Sequence, residues 1–202
     1  MWPTAEVRWF SRGVIPEDVL AWFVSDFPYL EVQPPRVDAY FPLITDDGVG
    51  IKLRERRIEI KQRYGDLGTM ALAAGVVGFP ELWRKWAFGL VAYGGDPGEP
   101  DGWISVQKTR LVRNYAFLPG LDTPRAVPGT FAPARGCSME LTEVAVNGTA
   151  WWTAGFEATG AESELASTLE IVARHALASS EKLRLGLDYC YGYPRWLQEV
   201  LA

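Results

Sequence analysis

The sequence predicts an α+β protein built on an antiparallel sheet, and three kinds of pattern support that fold class. Short stretches such as Glu6-Val7-Arg8 and Lys52-Leu53-Arg54 alternate charged and apolar residues. A period of two is the period of a strand, so each stretch has one ionic face and one apolar face. Asn147-Gly148 is a strong turn signal between two extended stretches, as in an antiparallel hairpin. Residues 162–177 carry apolar side chains at helical spacing.

The first third of the chain is predicted to hold extended segments and one helix. Pro16 suits the first turn of a helix, and apolar residues recur at helical spacing after it. Pro34-Pro35 interrupts the chain before the next extended segment. Turn signals at Asp46-Asp47-Gly48 and at Arg56-Arg57 bound the strands that follow. The predicted extended segments are residues 3–10, 37–44, 49–54 and 58–64.

The rest of the chain is predicted to add helices, a long strand and a hairpin. A helix is predicted at 80–90, where Leu82 and Trp86 would lie along one side. Segments rich in Gly and Pro at 94–102 and 118–136 are predicted to be connections. The remaining predicted elements are a strand at 103–113, hairpin strands at 139–146 and 150–158, and helices at 162–177 and 193–201.

Composition and charge exclude several classes of protein. The 202 residues carry a net charge of −5, which argues against a nonspecific nucleic-acid binder, since such a protein needs a broad basic surface. No apolar run approaches the ~20 residues of a membrane-spanning helix. The chain begins with a predicted strand, so we expect neither a signal peptide nor a membrane partner. A cytoplasmic protein is therefore the expectation.

Cysteine and histidine are too scarce for several kinds of site. Cys137 and Cys190 are the only cysteines, too few for a disulfide framework or a thiolate metal site, and we expect both to be buried. His175 is the only histidine, and its place late in the helix at 162–177 suggests a surface or helix-end residue. With no other histidine, His-dependent catalytic triads and most zinc chemistry are excluded.

Several short motifs occur in an order that points to one known family. The first strand contains Thr4-Ala5-Glu6-Val7-Arg8. Further motifs follow in the order Lys52-Leu53-Arg54, Ile58-Glu59-Ile60-Lys61, Lys108-Thr109-Arg110, Leu141-Thr142-Glu143-Val144, Gly155-Phe156-Glu157 and Tyr191-Gly192-Tyr193-Pro194-Arg195-Trp196-Leu197. Together they resemble the triphosphate tunnel metalloenzymes, also called the CYTH superfamily. The basic positions match the family better than the acidic ones, because Thr4, Thr142 and Gly155 stand where the family has carboxylates.

The resemblance implies a fold and an activity. The fold would be one CYTH-like domain over residues 1–202, an antiparallel eight-stranded β-barrel, or tunnel, with flanking helices and a polar interior. The activity would be metal-dependent hydrolysis of a triphosphate-containing small molecule, such as inorganic, nucleoside or thiamine triphosphate. The expected partner is thus a polyphosphate or nucleotide, and a homodimer is left open. A cyclase activity is known in the superfamily, but nothing in this sequence favours it.

The resemblance also implies two sets of site residues. Arginine and lysine suit phosphate binding, because a guanidinium donates two hydrogen bonds to one phosphate. The implied substrate-binding residues are Arg8, Lys52, Arg54, Lys61, Arg63, Lys108 and Arg110. Carboxylates suit the hard cations Mg²⁺ and Mn²⁺. The implied metal ligands are Glu6, Glu157, Glu140 and Glu59.

Three other interpretations of the same sequence stay open. A noncatalytic barrel could bind a phosphorylated or other anionic ligand, and the carboxylates missing at Thr4, Thr142 and Gly155 favour it. A calycin-like barrel could instead turn its apolar faces inward and bind a hydrophobic small molecule among the tryptophans. The alternating charges could also form an ordinary solvated sheet face, with each acid in a structural salt bridge.

Overall fold

A computed structural model of the protein describes residues 2–25, 27–89, 102–180 and 183–202. The predicted connection at 94–102 lies outside these residues except for Gly102. The strands are β1 (Trp2–Arg12), β2 (Glu31–Val32), β3 (Arg36–Phe41), β4 (Val49–Arg54), β5 (Arg57–Asp66), β6 (Met70–Ala73), β7 (Val76–Gly78), β8 (Glu81–Gly89), β9 (Ile104–Ala116), β10 (Arg125–Val127), β11 (Gly136–Val146) and β12 (Thr149–Thr159). The helices are α1 (Glu17–Val24), α2 (Leu165–Leu177) and α3 (Tyr193–Leu201).

Eight of the strands close into an antiparallel barrel. Their order around the barrel is β9, β11, β12, β1, β8, β5, β4 and β3, and β3 pairs with β9 to complete the circle. Strands β2 and β10 also pair with β9, further along it than β3 does. The eight-stranded antiparallel barrel with flanking helices, implied by the family resemblance, is confirmed. Closure places alternate side chains of each strand inside one lumen.

The larger apolar core lies outside the barrel, between its wall and the helices, and a smaller apolar cluster around Phe10 and Trp196 fills one end of the lumen. Residues Ala5, Val7 and Trp9 of β1 are buried in the larger core. Helix α2 buries Leu165 and Leu169 against the same wall, beside β1, β11 and β12. The intervening charged residues of β1 therefore point into the lumen. The two faces predicted from the period of two are thus an outer apolar face and an inner ionic face.

Helix α1 is tied to the barrel by a buried arginine. Arg113 of β9 faces outward and donates hydrogen bonds to three carbonyl oxygens at the end of α1, those of Trp22 at 2.9 Å, Phe23 at 2.8 Å and Ser25 at 3.0 Å. The last carbonyls of a helix have no partner within it, so this guanidinium satisfies them. The predicted helix after Pro16 is confirmed as α1.

Helix α3 forms one end of the lumen with a cluster of aromatic rings. Trp196 is fully buried and stacks on Phe10 of β1, with ring centroids 5.1 Å apart. Trp151 and Tyr193 pack edge-on against the same indole. Gly50 of β4 permits the close approach of α3 to the barrel, because a Cβ at position 50 would lie 3.2 Å from the ring of Pro194.

The helix predicted at 80–90 is wrong, because these residues form β8 up to Gly89. Leu82 and Trp86 are four residues apart, a spacing that places two side chains on one face of a helix or of a strand. Pairing with β1 on one side and β5 on the other decides for the strand. The other predicted elements are present with shifted ends, and the connection at 118–136 contains β10.

Among the helices that the described residues form, none combines the length and the apolar character needed to cross a membrane.

Candidate ligand-binding lumen

The barrel encloses a charged cavity of about 490 Å³. Its basic lining consists of Arg8, Arg36, Lys52, Arg54, Lys61, Lys85, Lys108 and Arg110. Its acidic lining consists of Glu6, Glu31, Glu59, Glu81, Glu140 and Glu157. The eight basic side chains outnumber the six acidic ones, but the buried Asp38 lies among the same cations and the pKa of Lys108 is lowered to about 7. The lumen is therefore close to neutral without a ligand, and its cations are gathered where an anion can contact them.

The barrel brings together ten of the eleven residues that the family resemblance singled out. All four acids and six of the seven cations line the cavity. Arg63 is the exception: it pairs with Glu81 and Asp47 at 2.5 Å each, beside an irregularity in β5. Sequence reasoning missed Glu81 and Lys85, because it treated 80–90 as a helix. Charged and apolar residues do not alternate in Glu81-Leu82-Trp83-Arg84-Lys85, so the local sequence gives no clear strand signal there.

Glu140 holds two lumen arginines. Arg8 donates to its carboxylate at 2.8 Å, and Arg110 forms a second short ion pair with it. Burial alone would raise the pKa of Glu140, but the two guanidinium groups outweigh burial and hold that pKa far below its usual range. Glu140 is therefore a fixed anion that positions both arginines across the lumen.

Gly155 leaves room for the side chain of Arg8. It lies between Arg8 and Glu140 in the register of β1, β12 and β11. A Cβ at this position would meet the Arg8 guanidinium carbon and the Val7 carbonyl oxygen, both at 3.0 Å. Arg8 therefore occupies the space that a side chain at 155 would need.

Glu59 and Asp38 anchor a second group of cations. Glu59 accepts ion pairs from Arg54 at 2.8 Å and from Lys52 and Lys85 at 3.1 Å each. The surrounding cations overcome burial and lower the pKa of Glu59 to about 2. Asp38 is fully buried beside Lys52 and Lys108, and its pKa is likewise lowered to about 2.

Lys108 lies in an aromatic pocket at the α3 end of the lumen. Its ammonium group is 3.7 Å from the centroid of the Tyr193 ring and 2.5 Å from the Tyr40 hydroxyl. Burial lowers the pKa of Lys108 to about 7, although Asp38 opposes that change. Lys108 therefore supplies only part of a positive charge at neutral pH.

Three glutamates lie side by side on adjacent strands. Glu6 of β1 is directly opposite Glu81 of β8 and Glu157 of β12. Directly opposed like charges destabilise a sheet unless a cation lies between them. Lys61 is 2.5 Å from Glu6 and 3.8 Å from Glu157, while Arg63 pairs with Glu81.

Glu157 is the less neutralised member of the Glu6–Glu157 pair. Burial and the charge of Glu6 raise the pKa of Glu157. The pKa of Glu6 is lowered despite burial, because Lys61 and the Thr4 hydroxyl donate to its carboxylate. The pair offers hard oxygen ligands, whereas Glu59 and Glu140 are already held by two or three cations each. Over the described part of the chain, no group of three or more Asp, Glu, His or Cys side chains is arranged to hold a metal ion.

The cysteines and the histidine lie where the sequence predicted. Cys137 and Cys190 are buried free thiols, and burial raises the pKa of each. His175 is exposed in the last turn of α2. Cys137 is among the residues that line the cavity, whereas Cys190 and His175 are not.

Comparison with known proteins adds no relative. No protein-family model matches the chain, and a search of curated proteins finds no match.

Proposed function

We propose that the chain is a divergent member of the CYTH superfamily whose lumen binds a triphosphate-bearing small molecule. The observation that carries this proposal is the cluster of eight basic side chains that line the cavity inside the barrel. A triphosphate carries up to four negative charges. Its oxygens would replace the carboxylates that pair with the lumen cations in the absence of a ligand. Arg8, Arg54 and Arg110 offer planar donors to phosphate oxygens, and Lys61 and Lys85 offer single ammonium groups.

We further propose that the bound triphosphate is hydrolysed with Mg²⁺ or Mn²⁺. Water would attack the terminal phosphorus, and the bond from that phosphorus to the bridging oxygen would break. Phosphate would thereby separate from the rest of the substrate. Glu6 and Glu157 would hold the metal, since they are adjacent and Glu157 has only a 3.8 Å ion pair. The metal, when bound, would screen phosphate charge and orient the attacking water. The lumen arginines would stabilise charge on the leaving group.

A noncatalytic anion-binding barrel is the second candidate. Gly155 favours it, because the packing of Arg8 there leaves no space for the carboxylate that the family has at this position. The calycin-like alternative is disfavoured, because most of the ionic side chains of the strands line the cavity. Ala5, Val7 and Trp9 of β1 instead pack in the core outside the barrel, with α2.

Phosphate release tests the proposed activity. We expect release from tripolyphosphate, ATP or thiamine triphosphate only with Mg²⁺ or Mn²⁺, and at least a tenfold loss of rate in Glu157→Gln. The matched control is Glu143→Gln, an exposed glutamate on β11 that points away from the lumen. Release that is independent of metal, or unchanged in Glu157→Gln, would overturn the metal assignment.

A binding measurement separates the two candidates when no phosphate is released. The noncatalytic barrel predicts that tripolyphosphate raises the melting temperature of the wild type, because a ligand that binds only the folded state stabilises it. Arg54→Ala is expected to reduce that rise, whereas Arg56→Ala, in the exposed turn after β4, is expected to leave it unchanged. Neither release nor stabilisation would refute both candidates.

A further inference from the structure

One side of the lumen differs in chemistry from the rest. Val112, Val127, Phe131 and Pro133 line the cavity along the second half of β9, β10 and the segment after β10. We call these four residues the apolar sector. The lumen cations lie instead on β1, β3, β4, β5 and β8 and on the first half of β9. Apolar residues also line the cavity on β3, β4 and α3, among them Phe41, Ile51 and Leu197, but β3 and β4 carry lumen cations as well, whereas β10 and the segment after it carry none.

The neighbours of the apolar sector are mainly uncharged polar groups. Asn114 is directly opposite both Val127 of β10 and Ser138 of β11. The acid in this region is Glu31, which is directly opposite Val112. Glu31 accepts hydrogen bonds from the Gln33 amide at 2.7 Å and from the Asn114 amide at 3.5 Å. These neutral donors make the region poorly suited to phosphate, but suited to the polar edge of an organic group.

The segment that carries Phe131 is held closely against the barrel. The Phe131 N–H donates to the Pro128 carbonyl at 2.9 Å, which forms a turn. Gly129 within that turn packs directly on Glu31, because a Cβ there would come within 2.1 Å of its carboxylate oxygen. Phe131 is consequently positioned at the cavity while the residue stays 45 % exposed.

We propose that the apolar sector binds the organic group of an organic triphosphate, which makes an organic rather than an inorganic triphosphate the preferred ligand. This inference rests on the proposed function, which assigns the phosphates to the lumen cations. An organic group on Phe131 removes its exposed apolar surface from water, with Val112 and Val127 already buried beside the cavity, and an aromatic heterocycle gains stacking on the Phe131 ring. Inorganic triphosphate has no group to occupy this sector and leaves it hydrated.

Calorimetric titration of the wild type with inorganic triphosphate and ATP tests the preference. An EDTA-containing buffer prevents metal-dependent hydrolysis during the measurement. We expect ATP to bind about tenfold more tightly than inorganic triphosphate, in line with stacking of one base on one aromatic ring. Equal affinity for the two ligands, or tighter binding of inorganic triphosphate, would overturn the inference and leave the proposed function standing.

Two phenylalanine variants assign the preference to a residue. Phe131→Ala is expected to weaken ATP binding about tenfold and to change inorganic triphosphate binding less than twofold. Phe79→Ala is the control, because Phe79 is 38 % exposed and is not among the residues that line the cavity. Loss of affinity for both ligands alike in Phe131→Ala would refute the sector assignment. Failure of both ligands to bind the wild type, in EDTA and equally with Ca²⁺ in place of EDTA, would refute the proposed function itself.

Discussion

Single residues set the electrostatics of the lumen through buried ion pairs. Glu140 bridges Arg8 and Arg110, and Glu59 bridges Arg54, Lys52 and Lys85. A buried charge is costly without a partner, so each acid is needed to keep its cations inside the barrel. The same arrangement holds these cations ready for phosphate.

Removal of the charge of Glu140 is expected to destabilise the protein. Glu140→Gln would leave Arg8 and Arg110 buried without their common carboxylate, at a cost of about 3 kcal/mol in the free energy of unfolding. Urea unfolding followed by tryptophan fluorescence measures this loss. Glu143→Gln on the exposed face of the same strand should cost less than about 0.5 kcal/mol. Equal losses in the two variants would show that the Glu140 pairs contribute nothing to stability.

At the scale of elements, helix α3 closes one end of the lumen. Trp196 and Leu197 are buried with Phe10 and Trp151, and Tyr193 extends the cluster to the cavity lining. Large rings suit this position, because each buries roughly 150–250 Å². The element therefore contributes both to the core and to the shape of the site.

Truncation of the central ring of α3 is expected to weaken the whole barrel. Trp196→Ala would remove the indole between Phe10 and Trp151 and lower the free energy of unfolding by about 3–5 kcal/mol. Leu201→Ala on the same helix is the control, since Leu201 is 37 % exposed. Urea titrations that give the same midpoint for both variants would contradict a packing role for Trp196.

For the whole molecule, the charged lumen links stability to pH. The pKa values of Glu59 and Asp38 are about 2 in the folded protein, compared with ordinary values of 4.5 and 3.8. A folded-state pKa below the unfolded value means that the unfolded chain takes up the proton first as the pH falls. The stability from these groups is therefore fully present above pH 4.5 and is lost between about pH 4.5 and 2.

Acid titration of Glu59→Gln is expected to reveal that linkage. The wild type should lose on the order of 3 kcal/mol through Glu59 alone between pH 5 and 2, from a pKa difference of about 2.5. Glu59→Gln lacks this group, so its unfolding free energy should fall by correspondingly less over the same range. Urea midpoints measured at several pH values provide the test. A wild-type pH slope in the variant would show that Glu59 is not linked to folding.

The sequence by itself determined the local features of this protein. Alternation in Glu6-Val7-Arg8 and Ile58-Glu59-Ile60-Lys61 specifies strands with one ionic and one apolar face, because side-chain direction in a strand has a period of two. Asn147-Gly148 specifies the β11–β12 hairpin, since both residues adopt positive φ. The turn signals and the helical spacing in α2 are local in the same sense.

Only the tertiary structure decided which face is the lumen and what it contains. A period of two separates two faces of each strand, but closure of β3 onto β9 decides which face is enclosed. Pairing on both sides made β8 a strand, and the irregularity in β5 accompanies the separation of Arg63 from the other lumen cations. Contacts such as Arg8 with Glu140, or Gly129 with Glu31, join residues far apart in the chain. No local pattern encodes such contacts, because they depend on the register of strands that meet only after folding.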